Sequence, residues 1–502
     1  MIPYQKTDIL AIYRNLMETA IKYSEKANWK KCIDYLSSAA NWAYQFNFLY
    51  TDEAAESLIM RICDRTVPHV EINFPDKDKF VLIDSFCMDN RGLTQQYLRA
   101  MMHHKAEILY ICTSRYLGNG GDILKELNDY PKARVLLFDK DCSDSIIIAS
   151  KVSERVESYC PGHLFMHIAP WDVAALVSCC AISGVVKYNI NLTDHAYWMG
   201  AEFIDYNIEF RPYGMTVSLE KRGLEPNQCL SLPFYPISPL LSVFEGFPDL
   251  PHDAVRVFTG GALYKILGKK DIFFRIMERL LAIAPNIYIL VAGFAHDKLF
   301  DDKIATLEGG ERILQIGVRK DIDAVFDYCD IYLGTYPMTG GLMVQYAAKH
   351  AKPVVAYHEE GDVMNVVEEF LNYYQHEYHS FSDIDEMISY AEKLVKDLDY
   401  RQREGKLLQI GMMNANHFNT EFHDMVTAHQ TSFEWQKDKI DYNSFFQRYL
   451  DLENNGGFRA TKDLVLRHKL NSLMALKGYR INALCSMFDI ALSKVNNRLR
   501  KR

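Results

Sequence analysis

Two glycine pairs stand where a chain can receive an anion. Thr259–Gly260–Gly261 ends the apolar run AVRVFTGG (254–261), and Lys265 follows within about one helical turn. Glycines there let backbone N–H groups approach a ligand without a Cβ in the way, and the lysine brings a point charge suited to phosphate. Thr339–Gly340–Gly341 repeats the arrangement further on, after a Thr335–Tyr336–Pro337 loop and before a helix of small residues. Free N–H groups at a helix N-terminus suit a pyrophosphate. Thr259, Gly260, Gly261, Lys265, Tyr336, Thr339, Gly340 and Gly341 are therefore candidate anion-binding residues.

Other residues carry proton or charge chemistry. His195 follows a strand and lies beside Asp194, which can orient its imidazole as a general base. Arg319 and Lys320 come just after a strand, where they could offset charge on a departing diphosphate; Asp321 and Asp323 would equally pair with them on a solvated surface. Asp84, Asp89, Asn90 and Arg91 follow an early strand, and Glu359 and Glu360 follow a late one. Both sets are placed to reach a substrate hydroxyl. No metal site is expected. Asp139–Lys140–Asp141 has a lysine between its carboxylates, as in a solvated turn, Asp321–Ile322–Asp323 enters a helix, and no His/Cys set has zinc spacing.

The elements that position these groups are legible as a period change. Residues 1–70 show apolar positions at three- and four-residue spacing (Ile9, Ile12, Tyr13, Leu16; Cys32, Tyr35, Leu36, Ala39), with Ala27–Asn28 between two helical runs. This reads as a helical cap on the domain that follows. From about residue 76, short β-branched runs alternate with helical stretches: FVLID (80–84), EILYICTS (107–114), RVLLFD (134–139), HLFMHIA (163–169) and VVKYNIN (185–191). Near-continuous apolar strands alternating with helices predict an α/β fold with parallel sheets covered on both faces. A five-proline stretch, 230–253, reads as a linker, and a second series follows: AVRVFTGG, IYILVAG (287–293), RILQIG (312–317), DIYLGT (330–335) and PVVAYH (353–358). The expected units are 1–70 helical, 71–245 and 246–404 Rossmann-like, and 405–502 helical.

Composition bounds the partners. A 502-residue chain exceeds one core, and a net charge of −9 argues against wrapping nucleic acid. Eleven cysteines without C-x-x-C pairs fit reduced thiols in the cytoplasm. No signal peptide and no membrane-spanning run is read. Residues 459–502 carry eleven Lys/Arg against two Asp, which suits a solvated face or peripheral contact with anionic lipid or a polyanionic acceptor.

The order of these segments resembles the GT-B glycosyltransferases, whose two Rossmann-like domains face a cleft, and most nearly the branch with the O-GlcNAc transferases and related bacterial enzymes. The family's L-Y-K-I pattern, which supplies a lysine to the donor diphosphate, is similar to Leu263–Tyr264–Lys265–Ile266. Its Gly/Thr loop, helix and G-x-P-v-v resemble Thr339–Gly340–Gly341 followed by Ala351–Lys352–Pro353–Val354–Val355. Residues 316–333 resemble its base-recognition stretch, and 194–214 its active-site histidine followed by a short helix and strand. The resemblance covers roughly 80–400. It implies a GT-B-like α/β fold with helical extensions and a cytoplasmic, metal-independent transferase of polysaccharide biosynthesis type. Such an enzyme moves a sugar from a nucleoside diphosphate, uridine-based, to a hydroxyl of a glycan, lipid-linked glycan or protein. The donor is substrate and no further cofactor is implied. His195 and Lys265 take catalytic roles, and homo- or hetero-oligomers are open. Two departures stand out: Gln345 replaces the acidic residue that grips ribose, and Ala351 replaces the glycine. A nucleotide-sugar epimerase and a non-catalytic glycosyltransferase-like subunit share the scaffold, and Gln345 is the feature that points to the latter.

Overall fold

A computed structural model describes residues 1–89, 93–113, 120–138, 142, 144–238, 243–268, 271–371, 379–455 and 458–499. Asn90, Arg91 and Asp139–Lys140–Asp141 lie outside the described residues. Strands run in the order β1 Val70–Glu71, β2 Asp76–Asp84, β3 Glu107–Cys112, β4 Ala133–Leu137, β5 Pro161–His167, β6 Ile182–Ser183, β7 Val186–Ile190, β8 Tyr206–Glu209 and β9 Cys229–Ser231. After the linker come β10 Val255–Gly260, β11 Ile287–Ala292, β12 Ile313–Gly317, β13 Ile331–Leu333, β14 Val354–Tyr357 and β15 Ser380–Phe381.

Both large sheets are wholly parallel. The first has the order β4-β3-β2-β5-β7-β8-β9, and the second β12-β11-β10-β13-β14-β15. Counted from its own first strand, each reads 3-2-1-4-5-6, with one strand more at the edge of the first. That is the doubly wound order, and the chain reverses direction across the sheet between its first and fourth strands. The crevice beyond the carboxyl ends of those two strands is where such folds hold ligands. It lies between β2 and β5 in one sheet and between β10 and β13 in the other.

The sequence explains the packing. The last five residues of β2, Phe80–Asp84, are all buried, as a strand covered on both faces requires. Ala27 adopts φ +53° and Asn28 caps the next helix through Lys31 N–H, so the break between the first two helices falls where the sequence put it. Helices Lys6–Glu25, Trp29–Phe46 and Glu53–Thr66 share one apolar core with β2, β3 and β5. The cap and the first sheet therefore bury their apolar faces against each other.

The helical segment after 405 is distributed rather than gathered. Helix Leu398–Gly411 packs against helix Gly341–Lys349 of the second half. Helix Ala415–Ala428 crosses back, placing Phe418 and Phe422 against Tyr97 and Phe165 of the first sheet's layer. The last helices return to the N-terminal cap: Tyr4 hydroxyl meets Thr461 at 2.9 Å, and Asn482 clamps both backbone groups of Ile2. Among the described residues no helix is long and apolar enough to cross a membrane.

Candidate functional site

Among the described residues, glycine backbone and Lys265 line the second crevice. Gly260 is the last residue of β10, and Leu263–Lys265 forms a single 3-10 turn after Gly261. A Cβ on Gly261 would lie 3.3 Å from Lys265 Cδ and 3.4 Å from Thr335 Cγ2; one on Gly340 would lie 3.7 Å from Lys265 Nζ. The lysine stem therefore runs over the first glycine pair and brings its ammonium to the second. Helix Gly341–Lys349 begins there, so its free N–H groups and the ammonium converge on one space. Gly293 closes the floor. Its φ of +109° and the 2.4 Å approach of Gly261 O to a would-be Cβ leave room for glycine alone. Gly341 has a packing reason as well, since a Cβ would sit 2.4 Å from the Phe370 ring.

The loop between β13 and that helix is held from several sides. Asn365 accepts from Thr339 N–H at 2.7 Å and donates to Pro337 O and to Asp362. Arg448, on helix Tyr442–Asn455, donates to the Asp362 carboxylate at 2.5 Å and to Pro337 O at 3.3 Å. Tyr336 is buried against Tyr357, and its hydroxyl is hydrogen-bonded to Glu359; burial first, and then the Glu359 charge, push that phenol up from its ordinary value.

His195 sits on the turn after β7, with its ring 26% exposed. Nδ1–H donates to Asp194 at 3.1 Å, which leaves Nε2 as the lone-pair nitrogen. Asp194 is 1% exposed, and burial would raise its carboxyl. The Arg211 charge and the His195 and Arg211 hydrogen bonds outweigh this and hold it down at about 2. Arg222 fixes the turn by donating to Asp194 O and Ala196 O at 2.9 and 2.7 Å. Gly214 is needed beneath it, because a Cβ would fall 2.8 Å from Asp194 Cβ.

A continuous path joins the two centres. Arg211 donates Nε to Asp194 at 2.5 Å and Nη1 to Met364 O at 2.9 Å. Met364 precedes Asn365, which holds the Thr339 loop. His195 and Lys265 are thus linked through a buried arginine and the Thr339 loop. Neither Arg211 nor Arg448 carries a local sequence signal for this role, because the loop each one holds lies 86 to 153 residues away.

The structure gives protein partners or buried positions to Gln345, Arg319, Thr259, Asp84 and Asp89. Gln345 is 1% exposed and donates its amide to Phe234 O and Phe370 O at 3.0 and 2.9 Å, so it pins the linker to the helix instead of facing a ribose. Arg319 forms a fork on Asp321, donates to Gly246 O and lies over Phe244 and Phe247; its charge serves the linker. Lys320 beside it is exposed. Thr259 is fully buried inside β10. Asp84 does not face a substrate either. It is fully buried and accepts from Phe86 N–H, Cys87 N–H, Tyr110 hydroxyl and Thr94 hydroxyl, with His167 Nδ1 at 3.1 Å. Burial raises its carboxyl, but these contacts, His167 foremost, leave it below the ordinary value. Asp89 caps helix Gly121–Asp129 through Asp122 and Ile123 N–H.

One cluster of metal-ligand type occurs among the described residues, Cys63, Asp64 and His69, with ligand atoms within 4.8 Å of one another. It lies at the end of helix Glu53–Thr66 and just beyond it, not on either glycine loop.

No family model and no curated protein sequence matches the chain. Solved structures do. An O-GlcNAc transferase mutant from Thermobaculum terrenum aligns with 84% of this chain and 78% of its own, at 14% identity and a TM-score of 0.52. A glycosyltransferase from Rickettsia africae aligns over 70% of this chain and 98% of its own, at 11% identity and a TM-score of 0.50. The chain therefore has the GT-B fold, with two parallel Rossmann-type sheets.

Proposed function

We propose that the protein is a glycosyltransferase that takes a sugar from a nucleoside diphosphate, uridine-based, and passes it to a hydroxyl of a glycan, a lipid-linked glycan or a protein. The observation that carries this is the convergence of Lys265 Nζ, the Gly260–Gly261 and Gly340–Gly341 backbone and the helix N-terminus at the second crevice. That arrangement supplies charge and N–H donors to a diphosphate, and the proposed transfer is metal-independent. A cytoplasmic setting fits eleven free cysteines.

In the reaction the acceptor hydroxyl forms a bond to the sugar's anomeric carbon as the bond from that carbon to the diphosphate oxygen breaks. His195 Nε2 takes the acceptor proton, and Asp194 steadies the imidazolium. The electron pair leaves on the diphosphate, where Lys265 and the helix N–H groups offset the growing charge. Arg211 keeps the two walls in register, so the base and the leaving group stay aligned.

The test is release of nucleoside diphosphate from a panel of sugar nucleotides, with and without candidate acceptors. UDP release that rises with an acceptor and falls in His195→Ala supports transfer. Conversion of the sugar nucleotide alone would favour an epimerase. No binding of any nucleotide, with stable capture by a second protein, would favour a non-catalytic subunit.

A further inference from the structure

Among the described residues, the last helices present an apolar face left exposed. In helix Arg480–Leu499, Ile481, Leu484, Phe488 and Leu492 recur at helical spacing, and all four are exposed, Phe488 at 64%. Leu466, Leu470 and Met474, on the segment leading into it, are exposed too, Met474 at 73%. These seven are over a third of the twenty exposed large hydrophobics among the described residues, gathered within 27 positions.

The face cannot turn inward. The opposite side of the helix is already used: Asn482, Ala483 and Ser486 are buried, Asn482 clamps Ile2, and Tyr479 donates to Asp8. The stripe from Ile481 to Leu492 runs roughly 16 Å along the helix, a length that can lie flat in an interface.

Charge says what meets it. Residues 459–502 carry a formal +9, leaving −18 on the remainder of a chain whose total is −9. Arg459, Lys469, Lys477 and Arg480, in the same segment, are exposed. A second copy docking face to face would set +9 against +9, whereas an anionic surface of fluid hydrocarbon satisfies both the charge and the apolar stripe.

We propose that this C-terminal face is a peripheral docking surface for an anionic lipid bilayer, with the apolar stripe seated at the headgroup–acyl boundary and the basic residues on lipid phosphates. It would bring the cleft to acceptors carried on that surface. The docking itself does not depend on the glycosyltransferase reading.

The full chain is sedimented with vesicles of phosphatidylcholine alone, or with roughly a third phosphatidylglycerol. The expected result is at least about tenfold stronger partition to the anionic vesicles, lost between about 0.1 M and about 0.5 M NaCl. Leu484→Glu/Phe488→Glu abolishes it while the thermal midpoint and the response to UDP are kept. Should that pair fail to fold, Leu470→Glu/Met474→Glu must give the same loss. Equal binding to both vesicle types, no binding to either, or variants that bind as wild type would overturn the proposal. So would a dimer in light scattering that the same variants disperse, which would assign the face to a second copy.

Discussion

The two sheets have the same strand order but opposite treatments of the crevice that order creates. In the first, the leading strand ends in Asp84, directly beside His167 at the end of its neighbour. Tyr110, Thr94 and two backbone N–H groups complete the carboxylate, so the crevice is filled by the protein's own anion. In the second, the leading strand ends in Gly260, and the space is bounded by glycine backbone, a helix N-terminus and Lys265. One is occupied by a buried, hydrogen-bonded carboxylate; the other has the backbone N–H groups and the cation that the proposed diphosphate would need. Topology marks both as ligand positions, and only the chemistry of the strand ends distinguishes them.

That contrast can be broken from either side. His195→Ala should lower turnover by about 10²–10⁴-fold, the range of a lost general base, with UDP affinity nearly unchanged. A parallel fall in UDP affinity would place the histidine on the donor instead of the acceptor. Asp84→Ala removes a buried carboxylate with five hydrogen-bond partners and should cost about 3 kcal/mol in chemical denaturation, again without altering the UDP dissociation constant. If UDP binding weakens by more than the folded fraction does, the first crevice is a ligand site after all.

The helices that flank the sheets sharpen the comparison through pH. His468, in the C-terminal helices, is stacked on Tyr35 and bonded to Ser38; burial, then the Arg467 charge, pull its pKa down to about 4. His163 in the first sheet is likewise pulled down to about 4, by burial and then by His429 and Lys77. The unfolded chain takes each proton near 6.5, so the stability these rings provide is present above that pH. It is lost as pH falls from 6.5 towards 4. His468→Asn should remove about 2 kcal/mol of this decline, after allowance for solvent screening, and leave the share due to His163. Melting curves across that range check it; an unchanged slope would mean that the ring is solvated.

The smallest expected effect is at Ala351. It stands where the resembled pattern has glycine, and it adopts φ +52°, the conformation that glycine adopts without strain. Ala351→Gly should stabilise by about 0.5–1 kcal/mol in urea unfolding, and a loss would show that the methyl group packs usefully.

Sequence carried the longer strands and the glycine pairs, because each is a local pattern of period or turn chemistry; the short helix and strand after His195 came from the family resemblance, and β9 and β15 were not read. Sequence offered Asp321 as a partner for Arg319, but Gly246 for Arg319, and Phe234 and Phe370 for Gln345, lie 25 to 111 residues away. Nothing local distinguishes a side chain that holds a linker from one that holds a ligand. Arg448 escaped notice for the same reason: helix Tyr442–Asn455 reaches the Pro337 loop only after the chain has crossed back over the first sheet. Strands β1 and β6, two residues each, are too short for any period to register.

The most direct measurement is calorimetric titration of UDP into the wild type and into Lys265→Ala, without added metal. Loss of a charge-assisted contact to the diphosphate should weaken binding by about ten- to a hundredfold, with uridine affinity unaffected. Equal UDP affinity in the two proteins would contradict the assignment of the diphosphate to the second crevice.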